Sequence, residues 1–514
     1  MRDRERVLVV GAGVGGLTAA VELASRGIDV TVLESASRPG GKMREVTVAG
    51  RAIDSGPTVL TMKHVFDKVF ASAGERLEDH VTLDRADLLA RHAWPDGSQL
   101  DLFGDIERSA DAIGRFAGPR AAQGYRRFCA YARDIHQSVE APFLMADRPG
   151  LVSIVKAIGT IGLGAMKKMD GTRTMWAALG DFFEDPRLLQ LFGRYATYSG
   201  SSPFLAPATL NVIAHVEREG VWLVRGGMYR LAEALTGLAK KLGVTIRTGA
   251  AVKEILVEDN RANGVLLAGG EILWGRAVVL NADAAALEEG LFGKRVKKAG
   301  EGPAPRSLSA MTWSVVGRAE GLPLARHTVL FSDDYKREFR QLFEEGCVPA
   351  GPTVYVCAQD RDDSARAPAD SQSSGERLFC LINAPANGDR KEYSTAEIQK
   401  CEMALKRTLS LCGLTITEAA PAVVTTPADF ARMFPATGGA LYGAASHGWT
   451  APFSRPAARS RIPGLYLCGG SAHPGAGVPM AAQSGRLVAA ALSADLASTS
   501  RSRTVAMAGG MSMR

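Results

Sequence analysis

Val7, Leu8, Val9 and Val10 form an unbroken apolar run that stops at Gly11. An Ala- and Leu-rich stretch from Leu17 to Ser25 follows and ends near Gly27. A second apolar run, Ile28 to Leu33, stops at Glu34. Short continuous apolar runs bounded by glycine predict strands buried on both faces, and the stretch between them predicts a helix. Strand, glycine turn, helix and strand within about 30 residues make the βαβ unit of a parallel dinucleotide-binding sheet.

Farther along, short strands are expected from Asp84 to Gln99, with a turn at Pro95, Asp96 and Gly97. A mainly helical region runs from Glu107 to about Glu219, with helices over residues 125–137 and 173–183. Gly226 and Gly227 interrupt it, and an amphipathic helix resumes over residues 228–242. Residues 244–246, 252–257 and 278–280 have the β-branched content and bounding glycines of strands and are assigned to the same domain as the first sheet. Residues 311–316, 354–357 and 378–382 predict a second sheet, and the Asp-, Ser- and Pro-rich stretch 360–377 an exposed loop.

The resulting division has the cofactor domain in three pieces, 1–90, 226–300 and 461–495. A helical region at 91–225 and a substrate sheet at 301–460 lie between them, and the Ser- and Arg-rich tail at 496–514 reads as disordered. A length of 514 residues exceeds what one core usually serves, which agrees with intimately linked domains.

Composition narrows the function. The 56 glycines are roughly a tenth of the chain, against about 7% usually, which predicts many close backbone approaches. The net charge of +7 suits an anionic cofactor or an anionic membrane surface as well as an ordinary solvated surface. No basic stripe with interleaved aromatics is present, so nucleic acid is not an expected partner. The seven cysteines include no C-x-x-C pair, so no metal site is expected. The chain enters a strand within a few residues, which predicts a cytoplasmic protein with reduced thiols. The uncharged stretch 157–166 is too short to cross a bilayer, which needs about 20 apolar residues. It could lie on a membrane or line an apolar tunnel.

Gly11, Ala12, Gly13, Val14, Gly15 and Gly16 fit G-x-G-x-x-G. Gly11 permits the turn, Gly13 the approach of a pyrophosphate, and Gly16 close helix–strand packing. The helix N-terminus behind them presents free N–H groups and a positive dipole end. Glu34 stands where an acid accepts hydrogen bonds from ribose hydroxyls, with Ser35 beside it. A second strand-turn-helix, running through Gly470, Ser471, Gly477, Val478, Pro479 and Met480, predicts another anion-stabilising helix start.

With Arg38-Pro-Gly-Gly41-Lys42, Asp54-Ser-Gly56-Pro57-Thr58, Arg225-Gly-Gly-Met-Tyr229 and Asn281-Ala-Asp283, the chain resembles the amine-oxidase and phytoene-desaturase group of flavoproteins. His473, Pro474, Gly475, Gly477 and Pro479 match that group's C-terminal segment. The resemblance spans Val7 to about Ala494. It implies an α/β fold: a glutathione-reductase-type FAD-binding Rossmann domain with an inserted α+β substrate domain. It also implies FAD as cofactor, Gly41 and Lys42 after the ribose acid, Gly56, Pro57 and Thr58 beside the flavin, and Val252 against the adenine.

Gly56-Pro-Thr-Val-Leu-Thr-Met62, Glu78-Asp-His-Val-Thr-Leu83 and Ala90-Arg-His-Ala-Trp-Pro-Asp-Gly97 are similar to the 1-hydroxycarotenoid 3,4-desaturases within the group. The implied reaction places a C3–C4 double bond in an acyclic 1-hydroxy or 1-methoxy carotenoid drawn from a membrane surface. Charge left beside a polyene is delocalised along it, so alignment matters more than a strong base. No catalytic residue is assigned; Asp147, Arg148 and His473 are polar candidates, and His473 reads better as a structural histidine. The alternatives are a phytoene desaturase, a carotenoid ketolase, an amine oxidase and, without redox chemistry, a prenyl-lipid carrier like the Rab GDP-dissociation inhibitors. An amine oxidase would need an aromatic cage, which an aromatic content of 7% does not suggest.

Overall fold

β1 (Val7–Val10) is buried along its length because its two faces meet different layers. It pairs in parallel with β2 (Val30–Leu33) on one side and with the strand Ala277–Leu280 on the other. Leu465–Leu467 and Thr245–Arg247 complete a five-stranded parallel sheet. Val7 and Val9 face α1 (Val14–Ala24) and the helices Tyr229–Lys241 and Val478–Ala508, in a core with Leu17, Leu235 and Val488. Leu8 and Val10 face the antiparallel sheet Val252–Glu258, Arg261–Leu267 and Ile272–Trp274, packing with Ile255 and Val265. The strand expected at 252–257 is thus in the cofactor domain, in a layer that covers the parallel sheet. The structure, a computed structural model, describes residues 5–140, 168–299, 304–362, 375–449, 451 and 454–508.

The second sheet has eight strands. Its long strand Ser309–Gly321 pairs with Glu376–Ala384, Leu414–Glu418 and Val423–Thr425, and Val354–Ala358 and His327–Leu330 extend the sheet. Leu88–Ala93 then pairs in parallel with His327–Leu330, and Gln99–Phe103 forms the edge. The boundary expected at residue 90 thus falls inside a strand of this sheet. The first crossing between domains comes before Leu88, because the apolar positions Ala90 and Ala93 are used in the second sheet, not the first. Above it lie the helices Ile106–Ala117, Pro119–Val139 and Pro186–Gly193, with an aromatic core of Phe128, Phe183, Phe192 and Tyr195. The helix expected over 173–183 is only the short Met175–Leu179. Gly180 and the Asp185–Pro186 start of the next helix end it early.

The stretch from 496, read as disordered from its composition, continues the helix Val478–Ala508. The expected loop at 360–377 is closed at its base by the buried pair Arg361–Glu376 and by Arg377–Asp360, both at 2.7 Å. Among the described residues no helix is long and apolar enough to cross a membrane, and no cluster of His, Cys, Asp and Glu could hold a metal ion. The apolar stretch 157–166 lies outside the described residues.

Candidate functional site

The site forms where the parallel strands end. Gly11, at φ +98°, turns the chain out of β1, and its N–H donates to Leu33 O at 2.7 Å. Gly13 is the N-cap of α1; no side chain caps this helix, and no acidic residue lies in its first turn. Its leading N–H groups and positive dipole end are therefore open to an anion.

Four glycines crowd one residue, Asn281, three of them its side-chain amide. A Cβ on Gly11 would come 2.8 Å from Asn281 O, and one on Gly13 would lie 2.8 Å from its Nδ2. Cβ atoms on Gly15 and Gly469 would lie 2.7 and 2.9 Å from its Oδ1. The amide donates to Gly11 O at 3.3 Å. Asn281 therefore packs where Gly13 lacks a side chain, a second reason for a glycine there besides the approach of a pyrophosphate. The reading of Gly16 fits, since a Cβ there would sit 2.2 Å from Gly11 O.

Glu34 is buried at the end of β2 and fastens the glycine loop. Its carboxylate accepts the N–H of Ala12 at 2.7 Å and of Ala36 at 2.8 Å, and the Ser35 hydroxyl at 3.2 Å. Gly40 donates to Ala12 O at 2.9 Å, and Gly41, at φ +59°, packs so that a Cβ would lie 3.1 Å from Gly13 Cα. Ala250 donates to Glu34 O at 2.8 Å, which brings the start of the Val252 strand beside the same loop. Lys42 Nζ donates to Leu441 O at 2.6 Å. Burial lowers the pKa of Lys42, with Asp283 opposing and Arg455 adding to the shift. Arg455 donates to the carbonyls of Gly470 at 2.9 Å, Ala444 at 3.1 Å and Tyr442 at 3.2 Å. Burial brings its pKa down to about 10, with Asp283 opposing. Ser471 Oγ accepts the N–H of Ala284 at 3.0 Å.

Beside this loop system lies a cavity of about 410 Å³. Gly56, Pro57 and Thr58 form part of its wall, and Gly477, Val478, Pro479 and Met480 another part. Most of the rest is apolar: Val59, Met62, Val139, Leu210, Ile213 and Phe379. Four tyrosines, Tyr198, Tyr335, Tyr355 and Tyr442, also line it, so the fold gathers aromatic rings that composition did not suggest. Its charged lining residues, among those described, are Arg194 and Arg455; no carboxylate lines it. Two cations and no anion make a poor cage for an ammonium group. Thr58 Oγ1 and Tyr355 OH are 2.7 Å apart, and Tyr355 OH lies 2.7 Å from His327 Nδ1. Burial pushes the His327 pKa down to about 3, with Arg326 and Arg194 adding to the shift, so its ring is neutral.

The fold thus brings Gly11–Gly16, Glu34, Ser35, Gly41, Lys42, Val252, Gly470 and Ser471 to one loop system, and Gly56–Thr58 and Gly477–Met480 to the cavity beside it. His473 is buried behind the wall, its N–H donating to Pro456 O at 2.9 Å. Asp147 and Arg148 lie outside the described residues. Sequence reasoning missed Arg194, Arg455 and the four tyrosines, which come from separate segments without a local motif. The glycine loop, the uncapped α1 and the buried cations fit a dinucleotide with a diphosphate and an electron-accepting ring.

Comparison with known proteins gives the same reading over the whole length. Residues 14–493 match the family described as flavin containing amine oxidoreductase. The chain is 51% identical over 514 residues to a hydroxyneurosporene desaturase of Rubrivivax gelatinosus, covering 99% of this chain and 97% of that one. It is 44% identical over 502 residues to a hydroxyneurosporene desaturase of Cereibacter sphaeroides, covering 96% and 99%. A solved oxidoreductase from Methanosarcina mazei shares the fold, with a TM-score of 0.59 at 16% identity over 94% of this chain and 99% of its own. The chain therefore belongs to the flavin-containing amine oxidoreductase family and is an FAD-dependent oxidoreductase.

Proposed function

We propose that this protein introduces a C3–C4 double bond into acyclic carotenoids that carry a 1-hydroxy or 1-methoxy end. The observation that carries the reading is the cavity: an apolar wall, two arginines and no carboxylate among the described residues, beside the glycine loop. The relatives named hydroxyneurosporene desaturase, which match almost the whole chain, support it.

When bound, FAD would supply the acceptor for the hydride, which carries both electrons removed from the substrate, while the second hydrogen leaves separately as a proton to a weak base. The first-turn N–H groups of α1, with Gly11, Ala12, Gly13, Val14, Gly15 and Gly16, would hold its diphosphate. Glu34 and Ser35 would take the ribose, the backbone of Val252 the adenine, and Gly41, Lys42, Gly56, Pro57, Thr58, Gly470, Ser471 and Gly477 to Met480 the remainder. Lys42 and Arg455 set positive charge behind that region, held in place by backbone carbonyls. The apolar wall excludes water and aligns the polyene, which is the main demand of a reaction whose charge is spread along conjugated carbons. The substrate is insoluble in water, so the protein would take it from a membrane surface as a peripheral, cytoplasmic enzyme.

The test offers hydroxyneurosporene, neurosporene and phytoene separately to the flavin-loaded protein. One more conjugated double bond shifts the visible absorption of hydroxyneurosporene to the red. Stepwise conversion of phytoene with hydroxyneurosporene untouched overturns the reading in favour of a phytoene desaturase.

A further inference from the structure

Within that cavity wall, Arg194 hydrogen-bonds Tyr198 but makes no ion pair with a carboxylate among the described residues. It follows Pro186–Gly193, and its guanidinium lies 5.4 Å above the Tyr198 ring. Its Nε is buried and has no hydrogen-bond partner. The nearby carboxylate, Glu217, is already engaged: Tyr195 OH donates to Oε2 and Tyr198 OH to Oε1, the latter at 2.6 Å. Burial works against the charge on Arg194, but the fields of Tyr198 and Glu217 more than offset it, so its pKa is raised. Tyr335, also in the wall, has a buried hydroxyl with no partner. Burial raises the Tyr335 phenol, Glu338 adds to the rise and the Arg194 charge opposes it, which puts Tyr335 within the field of Arg194.

The Arg194 Nε and the Tyr335 hydroxyl, each buried without a partner in a largely apolar wall, call for an acceptor from the ligand. Guanidinium donates only, and a tyrosine hydroxyl can donate. Alcohol and ether oxygens both accept, and a hydrocarbon offers nothing. The place in the cavity also fits. In a 1-hydroxy chain the oxygen is three bonds from C3, roughly 4 Å. A hydrogen bond adds about 3 Å, so the group that holds the oxygen must lie within about 7 Å of the reacting carbon. Arg194 and Tyr335 line the same cavity as Gly56–Thr58 and Gly477–Met480, the segments expected beside the flavin.

We propose that Arg194 and Tyr335 form the specificity site that holds the terminal oxygen of the substrate, an alcohol or methyl ether carried on C1, and so bring C3 and C4 into register. This rests on the carotenoid reading given above. A hydrocarbon of the same shape would leave both donors dry and unpaired, which is how a polar site rejects such an analogue.

The experiment uses the flavin-loaded protein and its Arg194→Met, Arg194→Lys and Tyr335→Phe variants, with flavin absorbance confirming cofactor retention. Each is given hydroxyneurosporene and neurosporene, and both kcat/KM and Kd, read from quenching of flavin fluorescence, are measured. Arg194→Met should weaken Kd and kcat/KM for hydroxyneurosporene by 10- to 100-fold, as expected for losing a charged hydrogen bond. Values for neurosporene should stay within about threefold, since no bond to it is lost. Tyr335→Phe should show a smaller loss with the same selectivity, and Arg194→Lys should keep part of the preference. An equal fall for both substrates, or an unchanged preference in Arg194→Met and Tyr335→Phe, overturns the assignment. Should Arg194→Met lose its flavin, Arg194→Lys and Tyr335→Phe decide by the same ratio. If the wild type converts neither substrate, the carotenoid reading itself fails, whereas conversion with an unmoved ratio removes only the specificity site.

Discussion

The carboxylate of Asp54 accepts the backbone N–H of Met228 at 2.6 Å, across 174 residues of sequence, and that of Tyr229 at 3.1 Å. It thereby caps the helix Tyr229–Lys241 from a different segment of the chain. Gly227 makes room for it: a Cβ there would lie 2.4 Å from Asp54 Oδ2, at a φ of +105° that side chains rarely adopt. The same Asp54 backbone pairs with Gln359, just past the strand Val354–Ala358 of the second sheet: its N–H donates to Oε1 at 3.0 Å and its O accepts from Nε2 at 2.8 Å. One residue thus ties the cofactor half to the substrate half.

Asp54→Ala should cost about 2 to 4 kcal/mol, because it strips a buried helix start of its acceptor. Asp54→Asn should cost less than half as much, since burial already raises the Asp54 pKa against its charged form and an amide oxygen still accepts. Gly227→Ala should cost about 2 kcal/mol or more through clash and backbone strain. In the double variant Asp54→Ala, Gly227→Ala the costs should add to less than their sum, since the clash partner is gone. Urea unfolding of the four proteins checks this; strict additivity would show that the two residues do not meet.

What the sequence makes legible follows from how local each signal is. β1, α1, β2, Gly11, Gly16 and Glu34 were readable because the glycine spacing and the apolar period lie within one short segment. The pair Gly226–Gly227 was visible as a break, but its cause, the Asp54 carboxylate, comes from a segment far earlier in the chain. The packing of Gly13 was hidden for a related reason: its close neighbour, Asn281, is 268 positions away. The cavity wall was the least legible part. Arg194, Tyr335, Tyr355 and Tyr442 each sit in an ordinary local context, and only the crossing of the two sheets by the chain brings them together.

Gly13→Val should abolish flavin absorbance, by driving the glycine loop away from Asn281. A side chain there would meet Asn281 as well as the path of the pyrophosphate, and the two causes are separable. If Asn281 fills the space, Gly13→Ala should lose most of its flavin, and adding Asn281→Ala should restore part of it. The measurement is the ratio of protein to flavin absorbance after purification. Equal loss in the single and double variants would assign the space at Gly13 to the cofactor alone.

The proposed membrane contact predicts a second separable behaviour. Residues 151–169 are apolar and Gly-containing and end in Lys167, Lys168 and Met169. An apolar segment closed by cations favours anionic lipid, each surface Lys adding about 1 kcal/mol of attraction. Wild-type protein should float with anionic liposomes, and the Ile158→Asp, Ile161→Asp variant should float several-fold less. Equal flotation would make these residues a wall of the tunnel with no contact to lipid.

Glu338 gives the pH dependence a definite sign. It is 1% exposed on the helix Tyr335–Phe343, and its Oε2 accepts Ser332 Oγ at 2.8 Å and Thr353 Oγ1 at 2.7 Å. Burial pushes its pKa from 4.5 up to about 7, more than those hydrogen bonds pull it down. A raised carboxyl pKa means the folded state holds its proton where the unfolded chain has released it. This group therefore costs little stability below pH 4.5, a growing amount between 4.5 and about 7, and its full penalty above 7. Glu338→Gln removes the titration while keeping an oxygen for Ser332 and Thr353. Relative to wild type, the variant should gain about 2 to 3 kcal/mol between pH 5 and pH 8. The amide group that replaces Oε1 shifts both values alike, so the change with pH is the measured quantity. Unfolding by urea at the two pH values checks it, and a difference independent of pH would place the Glu338 pKa near that of an exposed carboxylate.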